Sequence, residues 1–183
     1  MLFPAPSSPD PPPRVVITGA GIVTALGLGW RANGDGFRSG RVALRPVTRF
    51  DVSRQRARLA GEVDLPAGLP PNRLPPRERA RLDHAAKLLL WAGQEAWQQA
   101  GWENSQDMPL VLGTTSGGMT LGEDLYRQAV GQPPSHWRQP TRVVHYQPQR
   151  QALDLLDALG CSGPVTIIAN ACASGANAVG HAW

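Results

Sequence analysis

Cys172 is the residue whose type and setting most clearly suit chemistry. It follows the apolar, β-branched run Val165-Thr166-Ile167-Ile168 and lies within Ala169-Asn170-Ala171-Cys172-Ala173-Ser174-Gly175, a stretch of small side chains. A sharp strand-to-helix turn lifts a nucleophile above a sheet edge, and it needs small neighbours to do so. The N-terminus of the following helix favours the thiolate, which is the reactive form. Adjacent backbone N–H groups can serve as oxyanion donors. Such a site suits acyl transfer through a thioester. Position alone leaves a second reading open, an inert buried cysteine. Cys161, in the turn Gly160-Cys161-Ser162-Gly163, has no strand end or helix terminus arranged for it and reads as structural.

A cysteine nucleophile normally works with a base. His181 lies nine residues beyond Cys172, and at about 100° per residue that is the opposite helix face. His84 falls in the middle of a long helical pattern. His136 and His145 fall in the Pro-containing stretch before Gln149. None has motif support, and each reads as a surface or loop histidine.

The elements that must position Cys172 are legible as alternating patterns. Val15-Val16-Ile17-Thr18, Leu110-Val111-Leu112-Gly113 and Val165-Thr166-Ile167-Ile168 read as short buried strands. Residues 29–40 read as a weak, glycine-interrupted helix, and residues 41–77 as loop. Leu82, Ala85, Ala86, Leu89, Ala96 and Ala100 recur at helical spacing, which predicts one helix from about Pro76 to Ala100 capped by Gly101. Further helices are expected over 120–130 and from Gln149 to Leu159, the latter with Leu153, Leu156 and Leu159 on one side and Gly160 at its end. Strands alternating with helices predict an α/β layered fold.

Two glycine runs compete for a functional reading. VVITGAGIVT, residues 15–24, has Gly19 and Gly21 at dinucleotide-fingerprint spacing, but Thr24 stands at the third glycine position and no acidic residue follows in a second strand. A tight turn in which a Cβ would clash is the plainer account. GTTSGGM, residues 113–119, offers N–H groups that can cradle an anion, yet it lacks the Lys of a phosphate-binding loop. Its plainer account is close backbone approach to a neighbouring element.

Composition narrows the class. The chain has 183 residues, 42% hydrophobic and 17% charged, enough for one core-bearing domain. Residues 1–13 hold six prolines and no basic residue, so a disordered tail is expected rather than a signal peptide. No run approaches a membrane span. Two cysteines cannot build a disulfide framework and suit a reducing compartment, so a cytoplasmic location is expected. The net charge is +4, and the basic residues are Arg apart from Lys87.

VVITGAGIVTALG, GTTSGGM and GPVTIIANACASGANAVGHAW, in this order, resemble the β-ketoacyl-acyl carrier protein synthases of the thiolase superfamily. Arg49-Phe50-Asp51 and RLDHAAKLLLWAGQEAWQQAG support the resemblance, which runs from Arg14 to Trp183 and covers the amino-terminal half of such an enzyme. It implies a layered α-β-α thiolase-like half-fold with a mixed sheet over residues 14–183. It implies acyl transfer to Cys172, then decarboxylative condensation with malonyl carrier protein, in fatty-acid or polyketide synthesis. No cofactor or metal is implied. Two histidines, a lysine and a second oxyanion N–H come from the other half in this family, so activity is expected to need that half. Asn170 replaces the family's usual Thr or Asp, and His145 to Arg150 lacks its Asn-Met pair. These departures point to a divergent subgroup.

The implied partners are acyl carrier protein, in acyl and malonyl forms, and a second subunit, identical or related, paired through strand 164–169. That apolar edge, and the face that the other half would cover, predict association or poor solubility of this stretch alone. Twelve arginines between Arg31 and Leu82 face five acidic residues. They form either a surface that steers an acidic carrier protein or a plain solvated surface. No nucleic-acid motif accompanies them. Besides the enzyme, a non-catalytic module that pairs with an intact synthase fits the same residues.

Overall fold

The computed structural model describes residues 14–102, 107–131 and 142–183; the expected tail, residues 1–13, and His136 lie outside them. A short antiparallel pair, β1 (Val23–Thr24) and β2 (Gly27–Leu28), leads into α1 (Gly29–Arg38). The loop-rich stretch that follows holds a second antiparallel pair, β3 (Arg45–Pro46) and β4 (Leu59–Ala60). Then come α2 (Pro76–Arg79), α3 (His84–Ala100), β5 (Leu110–Gly113), α4 (Met119–Gly131), α5 (Arg142–Tyr146) and α6 (Pro148–Leu159). The chain closes with β6 (Val165–Ile168), a 3-10 turn over Ala171–Ala173 and α7 (Ser174–Ala182).

β5 and β6 pair in parallel, from Leu110 opposite Val165 to Gly113 opposite Ile168. Parallel pairing needs a long crossover, which the helices between the two strands supply. α6 packs on α3 and β6, and α7 packs on both strands. The layered α/β class expected from the sequence is the one observed. The core is helical: Leu82, Ala86 and Leu90 meet Leu155, Leu156 and Leu159, with Cys161 at the edge and Leu110 and Val165 packed against them. Cys161 is therefore a core residue, as read from the sequence. Gly160 ends α6 with φ 73°, the left-handed conformation that glycine adopts without penalty.

Three expectations need correction. The single helix from Pro76 to Ala100 is two helices. Asp83 takes an extended conformation and its side chain accepts from Ala86 N at 2.7 Å, so it caps a new helix instead of continuing the old one. Leu153 does not share the buried face of Leu156 and Leu159, and it is 40% exposed. Leu155 and Ala152 hold that face instead.

The third correction concerns Val15 to Thr18, which form no strand among the described residues. A buried strand needs paired edges and covered faces; here Val15, Val16 and Ile17 are exposed, Ile17 by 88%. The segment just beyond them is instead tied to α3. Ala20 N donates to Gln99 Oε1 at 2.7 Å and Ile22 N to Glu95 Oε2 at 2.9 Å. A Cβ on Gly19 or Gly21 would stand 2.2 Å from Ala96 O or 1.9 Å from Ala92 O. The Cβ clash expected at the first glycine run is present, but it arises from close contact with α3 and not from a tight turn, which the structure does not show there.

Candidate active site

Cys172 lies in the 3-10 turn between β6 and α7, and it is exposed. Cys161, by contrast, is buried. The turn is tight enough that Ala171 adopts φ 45°, and it is the only described non-glycine residue with positive φ. For a residue with a Cβ this conformation is costly and persists only where its surroundings hold it.

Those surroundings are hydrogen bonds. Ser174 Oγ donates to Ala171 O at 2.8 Å and accepts from Asn170 N at 2.8 Å, closing the turn from inside. Ser174 is buried, with 4% exposure, so these bonds are shielded from water. Thr115 Oγ1, from the loop after β5, donates to the same Ala171 oxygen at 3.0 Å. Ala173 N donates to Asn170 O at 3.0 Å. The backbone on both sides of Cys172 is therefore fixed while the thiol stays open. Sequence reasoning did not assign Thr115 or Ser174 this role. The available signal was a hydroxyl residue two positions after the cysteine and another just after a strand.

The second glycine run positions that loop. A Cβ on Gly113 would meet Ser174 O at 2.4 Å and Gly175 Cα at 2.9 Å. Only glycine lets the end of β5 approach the start of α7 so closely. Gly117, at φ 52°, and Gly118 approach the backbone of Tyr146 and His145 in the same way. The run is a packing device, in keeping with its plainer account. Thr114 N donates to Ile168 O at 3.0 Å, extending the β5–β6 register up to the turn.

α7 starts two residues after Cys172. Its first-turn N–H groups lack intrahelical partners, and negative charge is favoured at that end. The arrangement can hold a thiol at an open turn with backbone donors close by. No described histidine forms a hydrogen bond or ion pair with Cys172. His181 is exposed near the end of α7. Because Cys172 precedes that helix, the helical count linking the two does not apply. His84 opens α3 and His145 lies on α5; burial, followed by nearby arginines, holds both toward the neutral form.

Among the described residues, Glu78, Asp154 and Asp157 bring carboxylate oxygens within 4.8 Å of one another. Arg150 already occupies the cluster, with Nη2 at 2.6 Å from Asp154, 3.6 Å from Glu78 and 3.9 Å from Asp157. It is a partly buried charge network already holding a cation, with Asp154 buried and Asp157 exposed. No helix among the described residues is long and apolar enough to cross a membrane.

Residues 13–183 match the family described as beta-ketoacyl synthase, N-terminal domain. The tetracenomycin polyketide synthase ketoacyl synthase alpha subunit of Streptomyces glaucescens is 32% identical over 178 residues, covering 92% of this chain and 41% of that protein. The 3-oxoacyl-acyl-carrier-protein synthase 2 of Synechocystis sp. is 31% identical over 178 residues, covering 93% and 41%. A crystal structure of a β-ketoacyl synthase from Burkholderia phymatum shares the fold at a TM-score of 0.71, with 23% identity, over 92% of this chain and 42% of its own. The chain thus spans about two-fifths of the length of the relatives it matches. With almost its whole described length matched, the chain belongs to the β-ketoacyl synthase N-terminal domain family.

Proposed function

We propose that this chain is the amino-terminal part of a β-ketoacyl-acyl carrier protein synthase and that Cys172 is its acyl acceptor. The observation that carries this reading is an exposed thiol on a turn held at positive φ by two hydroxyls. The Cys172 thiolate attacks the carbonyl of an acyl thioester on the carrier protein. The carrier thiolate leaves and takes up a proton, and the acyl group stays on sulfur. Malonyl carrier protein then loses carbon dioxide, and the carbanion attacks the acyl carbon. The new carbon–carbon bond replaces the carbon–sulfur bond, and Cys172 leaves as thiolate. Groups that assist decarboxylation lie outside this chain in the resemblance, so condensation requires the full-length protein.

Acyl carrier protein, as its acyl and malonyl forms, is the proposed partner. A homodimer or heterodimer through the strand at 164–169 is proposed with it. β6 pairs with β5 on one edge, and no other described strand pairs with it. One neighbour of known structure is titled a ketosynthase/chain length factor, which supports the two-chain form.

The test is treatment of the full-length protein with an acyl thioester, followed by peptide mass mapping. Acyl mass confined to the Cys172 peptide is expected, and Cys172→Ala removes it. Equal, slow labelling of Cys161 and Cys172 sinks the activated-thiol reading. A non-catalytic module that pairs with an intact synthase would show partner binding with no acylation.

A further inference from the structure

A cleft of about 580 Å³ opens between the loop at 64–69 and the junction of α2 with α3. That volume lies within the range of small-molecule sites. Its charged lining is Arg49, Asp64, Arg79 and Lys87, with His84 and Trp91 beside them. Asp64 accepts from Arg45 with both oxygens and also attracts Arg49, so the lining holds three cations against this one carboxylate. Arg49 donates from Nη2 to Val63 O at 2.6 Å, which is a neutral carbonyl. Arg79 and Lys87 form no ion pair among the described residues. Burial first, and then Arg49, press His84 toward its neutral form; Asp83 opposes this and Lys87 adds to it. A concave surface with an excess of one sign of charge focuses its field on an ion of the opposite sign.

We propose that this cleft binds a phosphate-bearing small molecule, with the phosphate among Arg49, Arg79 and Lys87 and the organic part against Trp91. Guanidinium forks match phosphate geometry and an ammonium adds a point charge. The inference does not depend on Cys172.

The test is calorimetric titration of the full-length protein with phenyl phosphate and with inorganic phosphate, at fixed ionic strength. Phenyl phosphate should bind at one saturable site, several-fold more tightly than inorganic phosphate. Loss of one charge-assisted hydrogen bond predicts about tenfold weaker binding in Lys87→Gln, and separately in Arg79→Gln. Arg79 is exposed, so its variant leaves the core intact. Arg127→Gln, an equal loss of charge on α4, should bind as the parent does. Three results overturn the proposal. One is no saturation up to about 10 mM. Another is the same weakening in Arg127→Gln, which marks general charge attraction. The third is inorganic phosphate binding as tightly as phenyl phosphate, which removes the organic ligand.

Discussion

The hydroxyls of Thr115 and Ser174 converge on one acceptor, the carbonyl oxygen of Ala171, at 3.0 and 2.8 Å. They come from different elements, and between them they hold the one described non-glycine residue with positive φ. Thr115→Val keeps the shape and removes one of the two donors. A neutral hydrogen bond contributes about 0.5–1.5 kcal/mol, so acylation of Cys172 should slow by about two- to tenfold. Thr115→Ser should restore the rate. Rate constants from single-turnover acylation of the full-length protein check both. Equal rates in all three proteins would show that Thr115 does not position the turn.

Gly113 faces the same turn from below. Its replacement by Ala puts a methyl group 2.4 Å from Ser174 O, a backbone atom with nowhere to swing. Overpacking of this kind costs about 1–3 kcal/mol. Urea unfolding of Gly113→Ala should show that loss, together with slower acylation. Gly40→Ala is the contrast in space, since nothing lies within 4 Å of its Cβ, although its φ of 65° strains Ala there. Gly113→Ala without loss of stability or rate would contradict the close approach.

Asp154 gives a pH signature. Burial pushes its carboxyl up to about 6 from 3.8, while Arg150 pulls the other way and Asp157 and Glu78 add to the rise. A raised carboxyl supports the fold fully below its unfolded value and loses that contribution as pH climbs through the folded one. The parent should therefore lose stability relative to Asp154→Asn between about pH 4 and pH 6, by on the order of 3 kcal/mol. The difference between two urea titrations across this window measures it. A difference that stays flat contradicts the buried, raised carboxyl.

Glu95 joins the first segment to α3. Its carboxylate accepts from Ile22 N at 2.9 Å and from Trp30 N at 2.8 Å, the latter at the start of α1. Leu28, the residue before α1, offers no side-chain cap, so Glu95 supplies that acceptor from a distance. Glu95→Ala should cost about 1–3 kcal/mol in urea unfolding. It should also speed amide exchange at Ile22 and Trp30. Exchange unchanged at both sites would show that the clamp is not formed.

The sequence was most readable where local chemistry decides the outcome. Gly101 and Gly160 cap helices as their placement predicts, and β5, β6 and α6 fall close to their expected bounds. The small residues around Cys172 pointed to a strand-to-helix turn, and the turn is there. The misread parts depend on distant partners. Val15 to Thr18 carry strand composition, but composition does not specify a partner strand. The periodicity from Leu82 to Ala100 was real, but it did not reveal that Asp83 restarts the helix by capping it. Ser174 and Thr115 are 59 residues apart in sequence. Their shared acceptor exists only because Gly113 brings β5 against α7, and no spacing rule foreshadows that meeting.

The most direct test of the central claim is peptide mass mapping of the full-length protein after brief exposure to an acyl thioester, with Cys161 as the internal control. Cys161 is buried in the helical core and Cys172 is exposed on its turn. The account predicts one acyl group per chain, on Cys172 alone, and none on Cys172→Ala. Acyl mass absent from Cys172, or shared evenly with Cys161, would contradict it.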